Sequence, residues 1–237
     1  MSYEAVCFDL DNTLYPYAPC NEAGKRAALA ALREHGYDLD RESFDDLYAT
    51  GRRAAKRETR TTAASHDRHI YFKRGLRRHT GERDAGDALA AGDAYWDGYV
   101  AAMSLCDGVE TAFDRLGADG VSVAVVTNLT TRVQLRKLAS LGIDDRVDLL
   151  VTSEEVGREK PSALPFTSAL SALDYRPSEA LMVGDNVDAD VVGANAVGMD
   201  TALFVADGDA PPAAALDGDR SPDHRFDALA DVTEVAT

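Results

Sequence analysis

Short apolar runs alternate along this chain with segments of helical periodicity. Four runs predict β-strands and a weaker one predicts a fifth, at residues 4–9, 121–127, 147–152, 180–184 and 200–205. They are nearly continuous and rich in valine, as is typical of strands buried on both faces of a parallel sheet. Between the later runs, apolar residues recur three and four positions apart, which predicts helices around 133–141 and 164–173. The pattern predicts an α/β fold with a doubly wound, Rossmann-like parallel sheet.

The first two predicted strands do not fit this alternation of strands and helices. About 110 residues separate them, far more than one crossover helix needs. Most of that gap is helical in composition, for example at 23–36 and 87–103. We therefore predict a helical module at 16–99, inserted into an α/β core made of residues 1–15 and 100–237. Residues 207–223 are predicted to be a polar loop.

The composition is that of a globular protein without membrane segments. Hydrophobic residues make up 45% of the 237, and no apolar run approaches the ~18 residues needed to span a bilayer. The N-terminus lacks the basic and apolar regions of a signal peptide. The three cysteines form no C-x-x-C pair, so neither a disulfide framework nor a zinc site is expected. We expect a cytoplasmic protein, monomeric or homodimeric.

The charge is strongly negative. There are 41 acidic residues against 25 Lys and Arg, a net charge of -16, and 29 of the acids are Asp while only 5 of the bases are Lys. Such a surface argues against binding to nucleic acids or anionic membranes. An Asp-rich, Lys-poor composition resembles that of proteins from salt-loving archaea, where salt screens self-repulsion. The alternative is an acidic protein from a mesophilic organism that does not live in concentrated salt.

One stretch has the opposite sign. Residues 50–83 carry 11 Lys and Arg against 3 acids, among the bases Arg52, Arg53 and Arg57. These bases could be solvated, or paired with acids on the core. Alternatively, they could attract an anionic substrate and bind a second anionic group on it.

Polar residues follow the ends of the predicted strands. Asp9 and Asp11 end the first, and Thr127 and Asn128 end the second. Lys160 precedes Pro161 at a predicted helix start after the third, and the fourth runs into a segment that contains Asp185 and Asp190. The carboxyl ends of parallel strands share one edge, where open α/β sheets bind ligands. Individually each residue has a simpler explanation; for Asp190 it is a solvated acid near a helix N-terminus.

Together these groups suit phosphoryl chemistry. Several carboxylates on one edge repel each other unless a cation lies among them, and oxygen ligands suit Mg²⁺. A hydroxyl, a backbone amide and an ammonium suit phosphate oxygens. One carboxylate can attack phosphorus to form an aspartyl phosphate, and a second can act as general acid and base.

The sequence resembles the haloacid dehalogenase superfamily, mostly phosphohydrolases, over nearly its whole length. The motifs that carry the resemblance occur in the family's order: DLDNT at 9–13, T-N at 127–128, K-P at 160–161 and GDNVDAD at 184–190. Only the first and last are specific. The insertion resembles the family's helical cap of the first type.

The resemblance implies a role for each matching residue. Asp9 is the expected nucleophile and Asp11 the acid/base, while Thr127, the Asn128 amide and Lys160 hold phosphate. Mg²⁺ is expected on Asp9, Asp185 and the backbone carbonyl of Asp11, with Asp190 in support. The expected activity is hydrolysis of a small, anionic phosphorylated metabolite.

Three alternatives remain open. A 2-haloacid dehalogenase resembles a pattern without the second aspartate, so Asp11 favours the phosphatase. A phosphomutase of the superfamily keeps both aspartates. A receiver-like phospho-switch would also combine strand-end aspartates with Thr and Lys, but receivers are about half this length.

Overall fold

The computed structural model describes residues 2–81, 85–205 and 215–236, and the chain divides into two units. Unit 1 consists of Met1–Pro16, Ser104–Asn128 and Leu141–Thr237, and unit 2 of Tyr17–Met103 and Leu129–Ser140. The predicted boundaries of core and cap stay a prediction. Part of the predicted 207–223 loop, residues 207–214, lies outside the described residues.

The helices of the described residues fall into two sets. Those of unit 2 are α1 (Tyr17–Glu34), α2 (Arg41–Glu58), α3 (Arg68–Thr80), α4 (Ala85–Ala101) and α6 (Thr131–Leu141), the last residue of which belongs to unit 1. Those of unit 1 are α5 (Val109–Ala118), α7 (Ser153–Val156), α8 (Ala163–Leu173), α9 (Val192–Asn195) and α10 (Val232–Ala236). None of the described helices has the length and hydropathy that a bilayer crossing requires.

A parallel sheet forms the centre of unit 1. Within the described ranges it has six strands in the order β3-β2-β1-β4-β5-β6. They are β1 (Ala5–Phe8), β2 (Ser122–Thr127), β3 (Leu149–Thr152), β4 (Ala180–Gly184), β5 (Asp200–Phe204) and β6 (His224–Phe226). All adjacent pairs are parallel. The predicted α/β fold is therefore confirmed, and β6 is a strand that the sequence did not predict.

Both faces of the sheet are covered by helices, because side chains alternate along each strand. Ala5 and Cys7 of β1 belong to a buried cluster that includes Phe166 of α8. Phe8 packs instead on Phe113 of α5, with ring centroids 5.2 Å apart. This two-sided burial explains the continuous apolar runs.

Several predicted boundaries differ from the observed ones by one or two residues, and two of these differences have a visible cause. Pro161 does not begin a helix: α8 begins at Ala163, and Ser162 caps it by accepting a hydrogen bond from the Leu164 amide. β3 begins at Leu149 rather than 147, because the side chain of Asp148 accepts a hydrogen bond from the Val123 amide at 2.8 Å.

In unit 2, small residues let helices approach closely. A Cβ on Gly51 of α2 would lie only 1.9 Å from the carbonyl oxygen of Tyr71 in α3. Aspartates cap both helices: Asp40 accepts from the Ser43 amide at the start of α2, and Asp67 from the Ile70 amide at the start of α3.

Candidate active site

The first strand ends in the predicted aspartate pair. The backbone amide of Asp9 donates to the Val183 carbonyl at 2.8 Å, which continues the sheet pairing to that residue. The chain then turns at Asn12, which has φ 60°, a left-handed conformation that asparagine tolerates better than most residues. Asp9 is buried and 8% exposed, whereas Asp11 is half-buried.

Lys160 lies between two of the predicted acids. Its Nζ lies 2.7 Å from Oδ1 of Asp9 and 2.7 Å from Oδ1 of Asp190, and it donates to the Val126 carbonyl at 2.6 Å. The lysine is 5% exposed. It is therefore a buried cation shared by two carboxylates.

Asn128 holds the backbone of Lys160 in place. Its Oδ1 accepts from the Lys160 amide at 2.8 Å, and its Nδ2 donates to the Lys160 carbonyl at 3.4 Å. The motif predicted a role only for the backbone amide of Asn128, and this role of its side chain was not predicted. Thr127, beside it, is buried at the end of β2.

The segment after β4 brings in the other two acids. Asp190 is buried, and its Oδ2 accepts from the Asn186 amide at 3.1 Å, so the interpretation of Asp190 as a solvated acid is wrong. A glycine is required at 184, since a Cβ there would lie 2.3 Å from Oδ2 of Asp190. Asp185 is half-buried, while Asp188 is exposed and pairs with Arg220.

This cluster contains more carboxylates than lysines, and the pKa values of Asp9 and Asp185 are raised as a result. Burial, followed by the negative charges of Asp190, Asp185 and Asp11, raises the pKa of Asp9 to about 8 even though Lys160 lowers it. Burial and Asp190 likewise raise the pKa of Asp185 to about 6. Burial lowers the pKa of Lys160, but the negative charges of Asp190 and Asp9 outweigh it and raise that pKa above the usual value.

The acids are arranged as cation ligands. One oxygen from each of Asp9, Asp185 and Asp190 lies within 4.8 Å of the others. Two of these three residues are buried and the third is half-buried, so their mutual repulsion is little screened by solvent. A hard divalent cation among carboxylate oxygens would remove that repulsion, and the residues therefore fit a metal ion.

The basic stretch lies in unit 2, and its residues differ in environment. Arg53 and Arg57 are exposed, Arg74 pairs with Glu58 at 2.7 Å, and Arg68 is buried. Glu82 and Arg83, also counted in this stretch, lie outside the described residues. Most of these bases are thus solvated or paired with acids, which is the first of the two interpretations given for this stretch. Arg68, which is buried, is neither.

Known proteins resemble this chain in sequence and in fold. The model of the haloacid dehalogenase-like hydrolase family matches residues 3–198, so the chain belongs to that family. It is a phosphatase of the family, an enzyme that hydrolyses phosphoric monoesters.

Two curated relatives are similar over most of the chain. A ribulose-1,5-bisphosphate 5-phosphatase of Halopiger xanaduensis is 52% identical over 98% of this chain and 99% of its own length. A glyceraldehyde 3-phosphate phosphatase of Methanopyrus kandleri is 35% identical over 84% of this chain and 82% of its own.

Solved structures share the fold. A HAD phosphatase from Thermococcus onnurineus has a TM-score of 0.74 at 22% identity, covering 99% of this chain and 97% of its own. The magnesium-bound HAD-hydrolase YfnB from Bacillus subtilis has a TM-score of 0.72 at 20% identity and covers 100% of both chains.

Proposed function

We propose that this protein is a Mg²⁺-dependent phosphatase that hydrolyses a sugar bisphosphate through an aspartyl-phosphate intermediate on Asp9. The observation that carries the proposal is the pairing of buried Asp9 with Lys160 inside a cluster of acids. The similarity to the ribulose-1,5-bisphosphate 5-phosphatase supports a bisphosphate substrate.

Asp9 is the nucleophile in this mechanism. Lys160 contacts its Oδ1, so Oδ2 attacks phosphorus. A bond forms between that oxygen and phosphorus while the bond from phosphorus to the ester oxygen breaks. Asp11 gives its proton to the departing ester oxygen, which leaves as an alcohol.

The second half of the reaction regenerates the enzyme. Asp11, now a carboxylate, takes a proton from water, whose oxygen attacks the phosphorus of the aspartyl phosphate. The bond between Asp9 and phosphorus breaks, and inorganic phosphate leaves. Thr127, the Asn128 amide and Lys160 hold the phosphate oxygens throughout.

Mg²⁺ would be held by Asp9, Asp185 and the backbone carbonyl of Asp11. When bound, it would neutralise charge between the carboxylates and the phosphate. Asp190 supports the site by holding its neighbours in place. One of its oxygens pairs with Lys160, and the other accepts a hydrogen bond from the Asn186 amide. Residues 16–99 are proposed to be the cap.

The test is phosphate release with Mg²⁺ from ribulose 1,5-bisphosphate, glyceraldehyde 3-phosphate and p-nitrophenyl phosphate. Asp9→Ala should abolish release, and Asp11→Asn should lower turnover by roughly 10²–10⁴, the usual share of a general acid/base. A chelator should stop the reaction. Asp188→Asn is the control, because Asp188 is exposed and pairs with Arg220.

Different results point elsewhere. Near-normal turnover by the Asp9→Ala variant would show that Asp9 is not the nucleophile. Full turnover in excess chelator would remove the metal from the mechanism. Transfer of the phosphoryl group within the substrate, without release of free phosphate, would indicate a mutase.

A further inference from the structure

Asn12 has a backbone conformation that glycine adopts more easily. It follows the aspartate pair, has φ 60° and is exposed. The turn around it is held by backbone hydrogen bonds: the Asn12 amide donates to the Tyr15 carbonyl at 2.9 Å, and the Leu14 amide donates to the Leu10 carbonyl at 3.0 Å. Glycine has no Cβ and enters the left-handed region at no steric cost. The backbone alone would therefore favour glycine here, and the asparagine side chain needs another explanation.

The side chain of Asn12 makes a hydrogen bond to the carboxylate of Asp185. Its amide nitrogen is the donor, because an ionised carboxylate can only accept. The sheet brings these two residues together, since β1 lies beside β4 and Phe8 pairs with Val183 in their register. The turn after β1 and the residue after β4 thus lie at the same edge of the sheet, and both belong to unit 1.

The carboxylate of Asp185 lies in a repulsive environment. One of its oxygens lies within 4.8 Å of oxygens of Asp9 and Asp190, and like charges at such distances repel each other. Lys160 holds the carboxylates of Asp9 and Asp190 through direct contacts at 2.7 Å. The hydrogen bond from Asn12 acts on the third carboxylate and restricts its rotation.

We propose that Asn12 is a positioning residue for the divalent cation, because it fixes the carboxylate of Asp185 as a ligand. Hydrogen-bond partners of metal ligands typically contribute roughly 10- to 100-fold to metal affinity. Asn12 is exposed, so water competes for its hydrogen bond, and we expect an effect at the lower end, roughly 10-fold. The proposal rests on the Mg²⁺ site of the proposed function.

The experiment measures Mg²⁺ binding to metal-free protein by isothermal titration calorimetry, at constant ionic strength in KCl. The variant is Asn12→Gly, which keeps the left-handed turn and removes the amide. Asp174→Gly is the matched control, because Asp174 also has a left-handed backbone, with φ 61°, and is exposed. It caps the end of α8, from where the chain runs to the beginning of β4, at the edge of the sheet opposite Asp185.

Asn12→Gly should raise the Kd for Mg²⁺ roughly 10-fold, and Asp174→Gly should leave it unchanged. Melting temperatures give a second measurement. The increase in melting temperature that a fixed Mg²⁺ concentration causes should be smaller in Asn12→Gly than in wild type, because a bound ion stabilises the folded state according to its Kd. A merely structural role would lower the melting temperature equally with and without Mg²⁺.

Kinetics provide a third measurement, with p-nitrophenyl phosphate as substrate. Half-maximal phosphate release by Asn12→Gly should need roughly 10-fold more Mg²⁺ than wild type. At saturating Mg²⁺, kcat and the KM for substrate should both return close to the wild-type values, since the amide acts on the metal ligand.

An unchanged Kd for Mg²⁺ in Asn12→Gly would overturn the proposal. An equal increase of Kd in both glycine variants would also overturn it, because the effect would then come from glycine in a left-handed turn. If wild type bound Mg²⁺ but released no phosphate from any substrate, the proposed function would fail, and an increased Kd in Asn12→Gly would still support this role of Asn12. If wild type bound no Mg²⁺, both proposals would fail.

Discussion

Replacing Lys160 with Met should destabilise the protein strongly, because Lys160 is the buried counter-charge of two acids. Its Nζ lies 2.7 Å from both Asp9 and Asp190. Removing one partner of a buried ion pair leaves an uncompensated charge and typically costs about 3–5 kcal/mol.

Protonation of Asp9 limits this penalty. The pKa of Asp9 is already about 8 with the lysine present, and an aspartate in the unfolded chain titrates near 3.9. At pH 7 the wild type therefore already bears the ~4 kcal/mol that this proton costs. Because Asp9 can stay protonated without Lys160, we expect the loss at pH 7 to lie toward the lower end of the range of about 3–5 kcal/mol.

The sign of the pH dependence follows from the same shift. Because the folded-state pKa of Asp9 is raised above its unfolded value, stability is greatest at low pH and falls as pH rises toward the folded pKa. Lys160→Met raises that pKa further. Wild type and variant lose stability in parallel up to about pH 8 and diverge above it, so the variant should lose more stability, relative to wild type, at about pH 9 than at about pH 5.

The assay is urea unfolding followed by circular dichroism, in chelator so that no metal substitutes for the lysine. Lys25→Met is the matched control: Lys25 pairs with Asp45 at 2.9 Å on the surface, where such pairs contribute about 0–1 kcal/mol. Lys160→Met combined with Asp190→Asn should recover part of the loss. A loss below ~1 kcal/mol at both pH values would refute the reasoning.

Three further predictions concern the rest of the chain. Gly51→Ala should destabilise unit 2 by about 1–3 kcal/mol or more, because the added Cβ clashes with α3. Gly117→Ala is the control: its Cβ meets nothing within 4 Å, and it should stabilise the protein by about 0.5–1 kcal/mol. Equal melting temperatures of the two variants would contradict the packing argument. Hydrogen bonds to Asp67 and Asp93 raise the pKa of His69, so the melting temperature of wild type should exceed that of His69→Gln most near pH 6, and the difference should vanish by about pH 9. The net charge of -16 predicts that melting temperature increases toward molar KCl, where the Debye length falls to ~3 Å; equal values in dilute and molar salt would reject the halophilic interpretation.

The parts of the site that lie at strand ends could be predicted from the sequence. Asp9, Thr127 and Asp185 each follow an apolar run that ends abruptly, and parallel topology brings such ends to one edge. The pattern alone therefore indicated which residues lie together. Their catalytic roles stay predictions.

Burial of charged groups could not be predicted in the same way. Asp190 has the sequence context of a solvated helix acid, and it is buried because Gly184 has no side chain in its path. Arg68 is one of many bases in its stretch, and counting charges cannot distinguish the buried one from its exposed neighbours. β6 was missed because it is three residues long and has one apolar residue, Phe226.

The strand order has a consequence for synthesis of the protein. β1 leaves the ribosome first, yet it lies in the middle of the sheet between β2 and β4. Its partners on either side are Ser122–Thr127 and Ala180–Gly184, so both its edges stay unpaired until most of the chain has emerged. Lys160, the cation that stabilises Asp9, is also 151 residues away along the chain. During translation, the emerging chain thus exposes an apolar strand that other chains can pair with until β4 has been made.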